Sequence, residues 1–541
     1  MVDLFFNQLK TWIASCFPKF RRPRHSSVIS PHEAKALGDR CLEGKQLKEA
    51  ERWYSYILDS ESPGFDSLSS AILFFLSQDN APKIEQGLVL LKKECDENPR
   101  DDKLVFCGDI AIYFGRTDEM EKCFPLVLEN SPFKAPLYYK MGCNYFMLGH
   151  FSKAREAFRN AQKEMAQKKE ERQLDKLDLT FLAADQWATR IGHLGLLDGL
   201  IKLRKLDFIE DKNHVLLASS SQIACPALIP YLEPHISVVT DPGFINNLRD
   251  ILPYTQQYVN FFSLKDGSCI LLHEMLDRVN REWEDAKLPR LFELDHNHQS
   301  RGWDNLASWG IKKGESWFVT LHVRTGIYYN EPDSVSVRNA DIETYEKAIR
   351  LIRSRGGHVI WLGDGRELPK ELYGLIIDYP HSGMKSDWMD LFLCAECRFF
   401  MGVDSGISVI PDLFDVPCVL TNWIPCAMRP WKSKNLWIPK LIQNETTGEN
   451  LLFQELLGPP VGYWESHLLF KKRAYRIIDN SPEEITEVAE EMLDFLEGRA
   501  FEDTQADERQ QRFQTIARTQ QSYGAARVGG AFLRRYESLL R

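Results

Sequence analysis

The chain has 541 residues, 44% of them hydrophobic and 27% charged, and carries a formal net charge of −10. That length asks for several domains, and the composition is that of a globular protein with enough apolar residues for full cores. The acidic balance, with no broad basic tract, argues against a nucleic-acid partner, and 12 cysteines without regular spacing point to reduced thiols and a cytoplasmic setting.

Residues 1–30 open with a bulky apolar group, Val2, Leu4, Phe5, Phe6, Leu9, Trp12, Ile13 and Phe17, trailed by Lys19, Arg21, Arg22 and Arg24. The run is too short and interrupted to cross a bilayer, and its charges follow the apolar part, the reverse of a signal peptide. Two readings stand. One is a peripheral contact of residues 1–25 with an anionic membrane surface at the cytoplasmic face; the other is a helix capping the segment downstream.

Residues 31–168 read as all-helical and self-similar. A spacing of 34 residues separates Gly108 from Gly142, and Gly38 lies close to two such periods before Gly108. In register with these glycines stand Ala50, Met120 and Ala154, and then Tyr54, Phe124 and Phe158. Small and aromatic residues at these offsets are where paired helices meet closely, and the pattern resembles three to four tetratricopeptide repeats. Such a solenoid implies a surface for a protein partner, with a purely structural arm as the alternative. The charged stretch 163–178 reads as a solvated helix or connector.

Residues 185–312 form a first α/β half. Gly192-His193-Leu194-Gly195 enters an apolar helix, and 215–220 and 236–241 read as strands. Glycines at a helix entry permit close backbone approach, so Gly192, His193 and Gly195 are candidates for the acceptor side of a cleft. Glu293, Asp295, His296 and His298 cluster in sequence, but their spacing matches no closed metal-ligand set, and no metal site is expected.

Residues 313–480 form a second half. WFVTLHV, HVIWL, RFFMGV and PCVLT are β-rich runs, separated by helical patterns such as Ile342, Tyr345, Ile349 and Ile352. Alternation of this kind predicts a parallel sheet with ligands beyond the carboxyl ends of its strands. The unusual polar groups fall there: Arg324, Asp364, and Asp404-Ser405-Gly406. A guanidinium suits a phosphate, because its planar fork donates two hydrogen bonds and stays charged. The N–H groups and hydroxyl of the Ser405 turn, at the head of a predicted helix, suit a second phosphate oxygen. Asp364 suits ribose or base hydroxyls, and Lys385 could meet phosphate. No Asp-x-Asp pair and no GxxxxGK[ST] loop occurs, which favours metal-independent neutralisation of a diphosphate by protein groups and argues against a P-loop hydrolase. Cys394 and Cys397 fall within a helical pattern and read as structural. Residues 481–541 form the tail, with a Ser481/Glu484 capping box and a helical stretch at 532–540.

His322-Val323-Arg324 resembles the HxR motif of the fucosyltransferase superfamily, which includes the α1,6- and protein O-fucosyltransferases, and the later Asp404-Ser405-Gly406 step is similar to that superfamily's serine-bearing turn. Across residues 188–457, blocks at Leu321, Arg338, Lys385, Leu393 and Thr421 resemble a family of glycosyltransferases from surface-carbohydrate loci. The resemblance implies a GT-B-like α/β fold of two Rossmann-like lobes behind an all-α tetratricopeptide solenoid. It implies transfer of a sugar from a nucleotide diphosphate, a GDP-sugar slightly favoured, to a glycan, lipid-linked glycan or protein. Arg324 would hold the donor diphosphate, and no further cofactor is implied. Thr325-Gly326 departs from the fucosyltransferase continuation, which leaves sugar and base open. Tetratricopeptides before a GT-B unit also match the protein O-GlcNAc transferases in architecture alone. For inverting transfer the general base is open among His322, Asp364, His381 and Asp387. The rival expectation is a repeat scaffold with an inactive transferase-like domain.

Overall fold

The computed structural model describes residues 29–44, 46–78, 80–97, 101–112, 115–131, 134–326, 336–363, 367–499 and 505–541. The expected membrane contact of residues 1–25 and the candidate Asp364 lie outside them. Among the described residues no helix is long and apolar enough to cross a membrane. The chain forms two units, one of Met1–Leu137, Gly326–Val337 and Glu465–Tyr475, the other of Tyr138–Thr325, Arg338–Trp464 and Arg476–Arg541.

The first unit is a run of helical hairpins: α1 (Pro31–Glu43), α2 (Leu47–Leu58), α3 (Phe65–Ser77), α4 (Ala81–Glu97), α5 (Asp101–Ile112) and α6 (Thr117–Asn130). Ser30 and Glu33 close a capping box on α1, and Pro31 takes the first helical position, where its missing N–H is not needed. The glycine-to-aromatic register is realised in the packing. A Cβ on Gly38 would stand 2.9 Å from the Tyr54 ring, and one on Gly108 would stand 2.8 Å from the Phe124 ring. In the α3–α4 hairpin the roles are exchanged, with Gly87 on the second helix against Ile72 on the first. That exchange is why the repeat is hard to read there.

Helix α7 (Lys134–Met147) leads into the second unit, where it and α8 (Phe151–Glu171) form a further hairpin, with Gly142 against Phe158. This hairpin is built into the core that follows it. Tyr139 stacks on Tyr258 at 4.1 Å and donates to Gln186 Oε1 at 2.8 Å; Phe158 stacks on Phe261 at 4.9 Å; Arg155 pairs with Glu274 at 2.8 Å.

The first lobe holds a parallel sheet of β1 (Leu179–Ala183), β2 (Asn213–Leu217) and β3 (Ser237–Val239), with Phe181 opposite Val215 and Leu216 opposite Val238. Strand β1 precedes residue 185, where the sequence places the start of this half; five residues after a charged tract give little pattern to read. Helix α9 (Ile191–Lys205) follows β1, and a short antiparallel hairpin, β4 (Phe261–Ser263) and β5 (Cys269–Leu271), precedes α10 (Leu272–Asp285). Helix α11 (His296–Ala307) leads to the second lobe.

There β6 (Trp317–His322), β7 (Gly357–Trp361), β8 (Ile377–Asp378), β9 (Phe399–Gly402), β10 (Cys418–Trp423) and β11 (Leu436–Pro439) join a seven-stranded sheet. With β14 (Arg527–Val528) its order is β14-β11-β10-β9-β6-β7-β8, and each of its pairings is parallel. Helices α12 (Glu346–Ser354) and α13 (Asp387–Glu396) belong to this lobe, and β12 (Leu441–Asn444) with β13 (Tyr475–Ile478) makes a separate small pair. The strands are continuous apolar runs because both faces are covered: Phe399, Phe400 and Met401 are all buried, each worth about 1.5–3 kcal/mol of transfer free energy. The tail is part of this lobe. Helix α14 (Pro482–Leu496) carries the expected capping box, and α15 (Ala506–Thr519) leads to β14 (Arg527–Val528), which extends the sheet beside β11. The expected helix at 532–540 is α16 (Gly530–Arg535) followed by a 3₁₀ turn, Glu537–Leu540.

Candidate functional site

From β6 the chain steps outward to β7 and β8, then returns across β6 to β9 and continues outward to β10 and β11. The order reverses between β6 and β9. Helices connecting strands on either side of such a point diverge, which opens a crevice beyond the strand ends. His322, the last residue of β6, is in register with Gly402, the last of β9. Arg324 therefore leaves one wall of the crevice, and Asp404-Ser405-Gly406 leaves the other.

Across it, His322 Nε2 and Ser405 Oγ are 3.1 Å apart. Arg324 is buried, with 5% of its surface exposed; its Nη1 donates to Asn339 Oδ1 at 3.1 Å, and its carbonyl accepts from the Ala340 N–H at 3.1 Å. Arg338 Nη1 pairs with Asp404 Oδ2 at 3.4 Å, so the acid of the turn holds a second arginine at the same place. The segment Arg338-Asn339-Ala340-Asp341 thus divides its work. Asp341 caps the following turn, accepting from the Glu343 N–H at 3.0 Å, while Asn339 serves Arg324. Asn339 as a partner of Arg324 was not legible in sequence.

The helix expected after Ser405 is shorter than its pattern suggests. Gly406–Val409 is a 3₁₀ turn and Ile410–Leu413 a single α turn containing Pro411, so little aligned backbone stands behind the Ser405 turn. What the turn has is close support: Ser408 Oγ donates to the Ser405 carbonyl at 2.6 Å.

The first-lobe glycines meet this turn directly. A Cβ on Gly192 would stand 3.1 Å from Gly406 Cα, and one on Gly195 would collide with the Val409 side chain. Their lack of a side chain is accounted for by contact between the lobes, whereas the sequence suggested room for a substrate. His193, between them, bonds through Nδ1 to the Gln186 carbonyl at 2.6 Å. Because a carbonyl only accepts, Nδ1 carries the proton. Burial, with the nearby Arg190 charge, holds this imidazole neutral by bringing its pKa down to about 3.

Other sequence candidates stand apart. Lys385 is exposed and gives its ammonium to both oxygens of Asp390 at 2.7 Å; Asp387 is the exposed first residue of α13, and burial, with the Asp387 charge adding to it, raises the thiol pKa of first-lobe Cys225. Neither forms a hydrogen bond or ion pair with Arg324, His322 or Asp404 among the described residues. Ser386 sits at the cap of α13 without a side-chain capping bond. His381 pairs with Asp378 at 2.9 Å. Asp295 caps α11, and His298 Nδ1 lies 2.8 Å from the Tyr231 hydroxyl, which accepts from the Asp295 N–H. Cys394 and Cys397 are buried thiols with pKa values raised by burial, unfit as nucleophiles. Among the described residues no group of three or more His, Cys, Asp or Glu side chains is placed to hold a metal ion.

No protein-family model matches the chain, and no curated protein matches it. Among solved structures, the E. coli ADP-heptose lipopolysaccharide heptosyltransferase II is similar at 11% identity and a TM-score of 0.37, over 59% of this chain and 99% of that one. A family 9 glycosyl transferase from Veillonella parvula is similar at 11% identity and a TM-score of 0.38, over 58% of this chain and 97% of that one. The iron-containing dodecameric glycosyltransferase TibC of enterotoxigenic E. coli is similar at 15% identity and a TM-score of 0.26, over 45% of this chain and 57% of that one. No family model supports the fucosyltransferase or tetratricopeptide resemblance.

Proposed function

We propose that this protein is a two-lobed, GT-B-like glycosyltransferase that uses a nucleotide-diphosphate sugar without a metal. The observation that supports this best is the switch point itself: a buried arginine on one wall, a serine–glycine turn on the other, and the His322–Ser405 contact between them. Arg324, with Arg338 beside it, neutralises the leaving diphosphate, and the Ser405–Gly406 turn takes a phosphate oxygen. The acceptor hydroxyl, presented from the first lobe, attacks the anomeric carbon. Its proton passes to a base, the bond from the sugar to phosphate oxygen breaks, and the configuration inverts. His322 and Asp387 are the base candidates carried forward, and the acid limb of kcat against pH in His322→Gln and Asp387→Asn separates them. A GDP-sugar is slightly favoured as donor, with a glycan, lipid-linked glycan or protein as acceptor. The helical hairpins are assigned to a protein partner or acceptor, and residues 1–25 to an anionic membrane surface.

The deciding experiment is a thermal-shift series with GDP, UDP, CMP and dTDP sugars. A donor at a hundred times its Kd stabilises the folded protein by about 2.7 kcal/mol, and Arg324→Ala should abolish the shift. No shift with any donor would favour the rival reading, a repeat scaffold whose transferase-like domain is inactive.

A further inference from the structure

Arg324 stands at the head of a buried polar chain that reaches both walls of the crevice. Its guanidinium is held by the side chain of Asn339, and the Asn339 carbonyl in turn accepts from Lys440 Nζ at 2.7 Å. Lys440, 3% exposed, pairs at 2.8 Å with Asp479, whose side chain is 48% exposed. The next residue, Asn480, donates through Nδ2 to the Pro439 carbonyl at 2.8 Å, and its N–H donates to Asn422 Oδ1 at 2.7 Å. Asn422, held at φ 50°, donates through Nδ2 to the Tyr345 hydroxyl at 3.3 Å; that hydroxyl lies 2.6 Å from Thr421 Oγ1, which donates to the Gly402 carbonyl at 3.3 Å. Gly402 ends β9, immediately before the Asp404 turn. Two hydrogen-bonded stretches, joined by the backbone step from Asp479 to Asn480, therefore run from the arginine after β6 to the turn after β9.

An ammonium buried this deeply is expensive unless its bonds fix something. Burial lowers the Lys440 pKa and Asp479 opposes the shift, while the neighbouring Arg324 charge adds to the lowering. Two cations are thus kept side by side under cover, with Asn339 between them as a neutral spacer. A carbonyl pinned by Lys440 leaves Asn339 little freedom, and its side-chain oxygen then presents one fixed acceptor to Arg324.

We propose that Lys440, acting through Asn339, is a positioning residue that sets the Arg324 guanidinium at the switch point for an anionic diphosphate. This rests on Arg324 as the diphosphate ligand, but the position of Arg324 can be read without any donor. Phenylglyoxal labelling of the full-length protein, quantified by peptide mass spectrometry at Arg324 and at the equally buried Arg429 as control, reports it. In Lys440→Met, labelling of Arg324 should rise about tenfold, the change that losing a hydrogen bond to a charged group allows, with Arg429 unchanged. Asp479→Asn, a milder change at a half-exposed partner, should raise it less and serves if Lys440→Met does not fold. In turnover, both variants should raise donor KM and leave acceptor KM alone. Equal labelling of Arg324 in wild type and Asp479→Asn, or a rise at Arg324 and Arg429 together, overturns the proposal. If the labelling follows expectation but no nucleotide sugar binds the wild type, the positioning role stands and the transferase reading falls.

Discussion

Gly192 is the most informative position to perturb, because the two lobes meet there backbone to backbone. A Cβ at 3.1 Å from Gly406 Cα is roughly half an ångström inside ordinary carbon–carbon contact. No flexible side-chain tip is present at that contact, so the backbone itself must yield. Alanine gains up to about 1 kcal/mol of helix propensity in α9, and overpacking costs about 1–3 kcal/mol. The net change in stability for Gly192→Ala is therefore small, on the order of 1 kcal/mol. The functional effect should be larger. A displacement of about 1 Å at a reacting centre reduces rate on the order of a hundredfold, so about half of that predicts roughly a tenfold loss of kcat/KM. Gly192→Val, with two further methyl groups against the same backbone, should lose at least a hundredfold, on the order of a full ångström of displacement. The assay is donor turnover alongside thermal unfolding, with Gly406→Ala as the reciprocal variant, since its Cβ would stand 3.2 Å from Gly192 N. Gly192→Val with wild-type turnover would refute the reasoning, because the lobes could not then be in contact at this point in the active form.

Other consequences can be measured independently of the donor. Gly142→Ala pushes a Cβ into the Phe158 ring, so overpacking of about 1–3 kcal/mol should outweigh a helix gain of about 1 kcal/mol; thermal unfolding should fall, and Phe158→Leu should restore part of it. The lobes share a buried ionic group in which Lys202 donates to Asp198 at 2.6 Å and Asn280 at 3.0 Å, while Asn435 donates to Asp412 at 2.9 Å and Lys432 lies in the field of both carboxylates. Lys202→Met should cost about 3–5 kcal/mol, and adding Asp198→Leu should recover much of that loss in denaturant unfolding; equal losses in both would show that the charge was not the cause. His214 is buried, and burial together with the adjacent Arg204 brings its pKa down to about 4. Its folded value lies below the unfolded one, so its contribution is intact above about pH 6.5 and declines as pH falls toward 4, by about 3 kcal/mol in all. His214→Gln should flatten the stability profile in that window, and an unchanged slope between pH 6.5 and 4 would show that His214 takes up its proton alike in the folded and unfolded states.

Much of this protein was written in local pattern. Apolar, β-rich runs marked β6, β7, β9 and β10, and Ser481 with Glu484 marked the start of α14. The offsets from Gly38 to Tyr54, Gly108 to Phe124 and Gly142 to Phe158 named contacts that the hairpins make, because both partners belong to one helical hairpin and their spacing is fixed by helix geometry. Arg324 and Ser405 lie beyond the ends of β6 and β9, where the sequence put them, because each closely follows a readable strand.

What depended on the third dimension was less visible. Strands β8 and β14 have two residues each, too few to show a period, and β14 exists only because β11 offers an edge. The sheet order, and with it the crevice between β6 and β9, is a property of pairing that no single run contains. Gly192 and Gly195 looked like a substrate approach; their neighbours are Gly406 and Val409, more than two hundred residues along the chain. Lys440 is separated by 101 residues from the Asn339 carbonyl it holds. Sequence by itself determined which residues could carry anion chemistry, because side-chain type and a strand-end position suffice for that. The tertiary structure decided which of them stand together, because a buried charge is placed by the partners that surround it, and those come from distant parts of the chain.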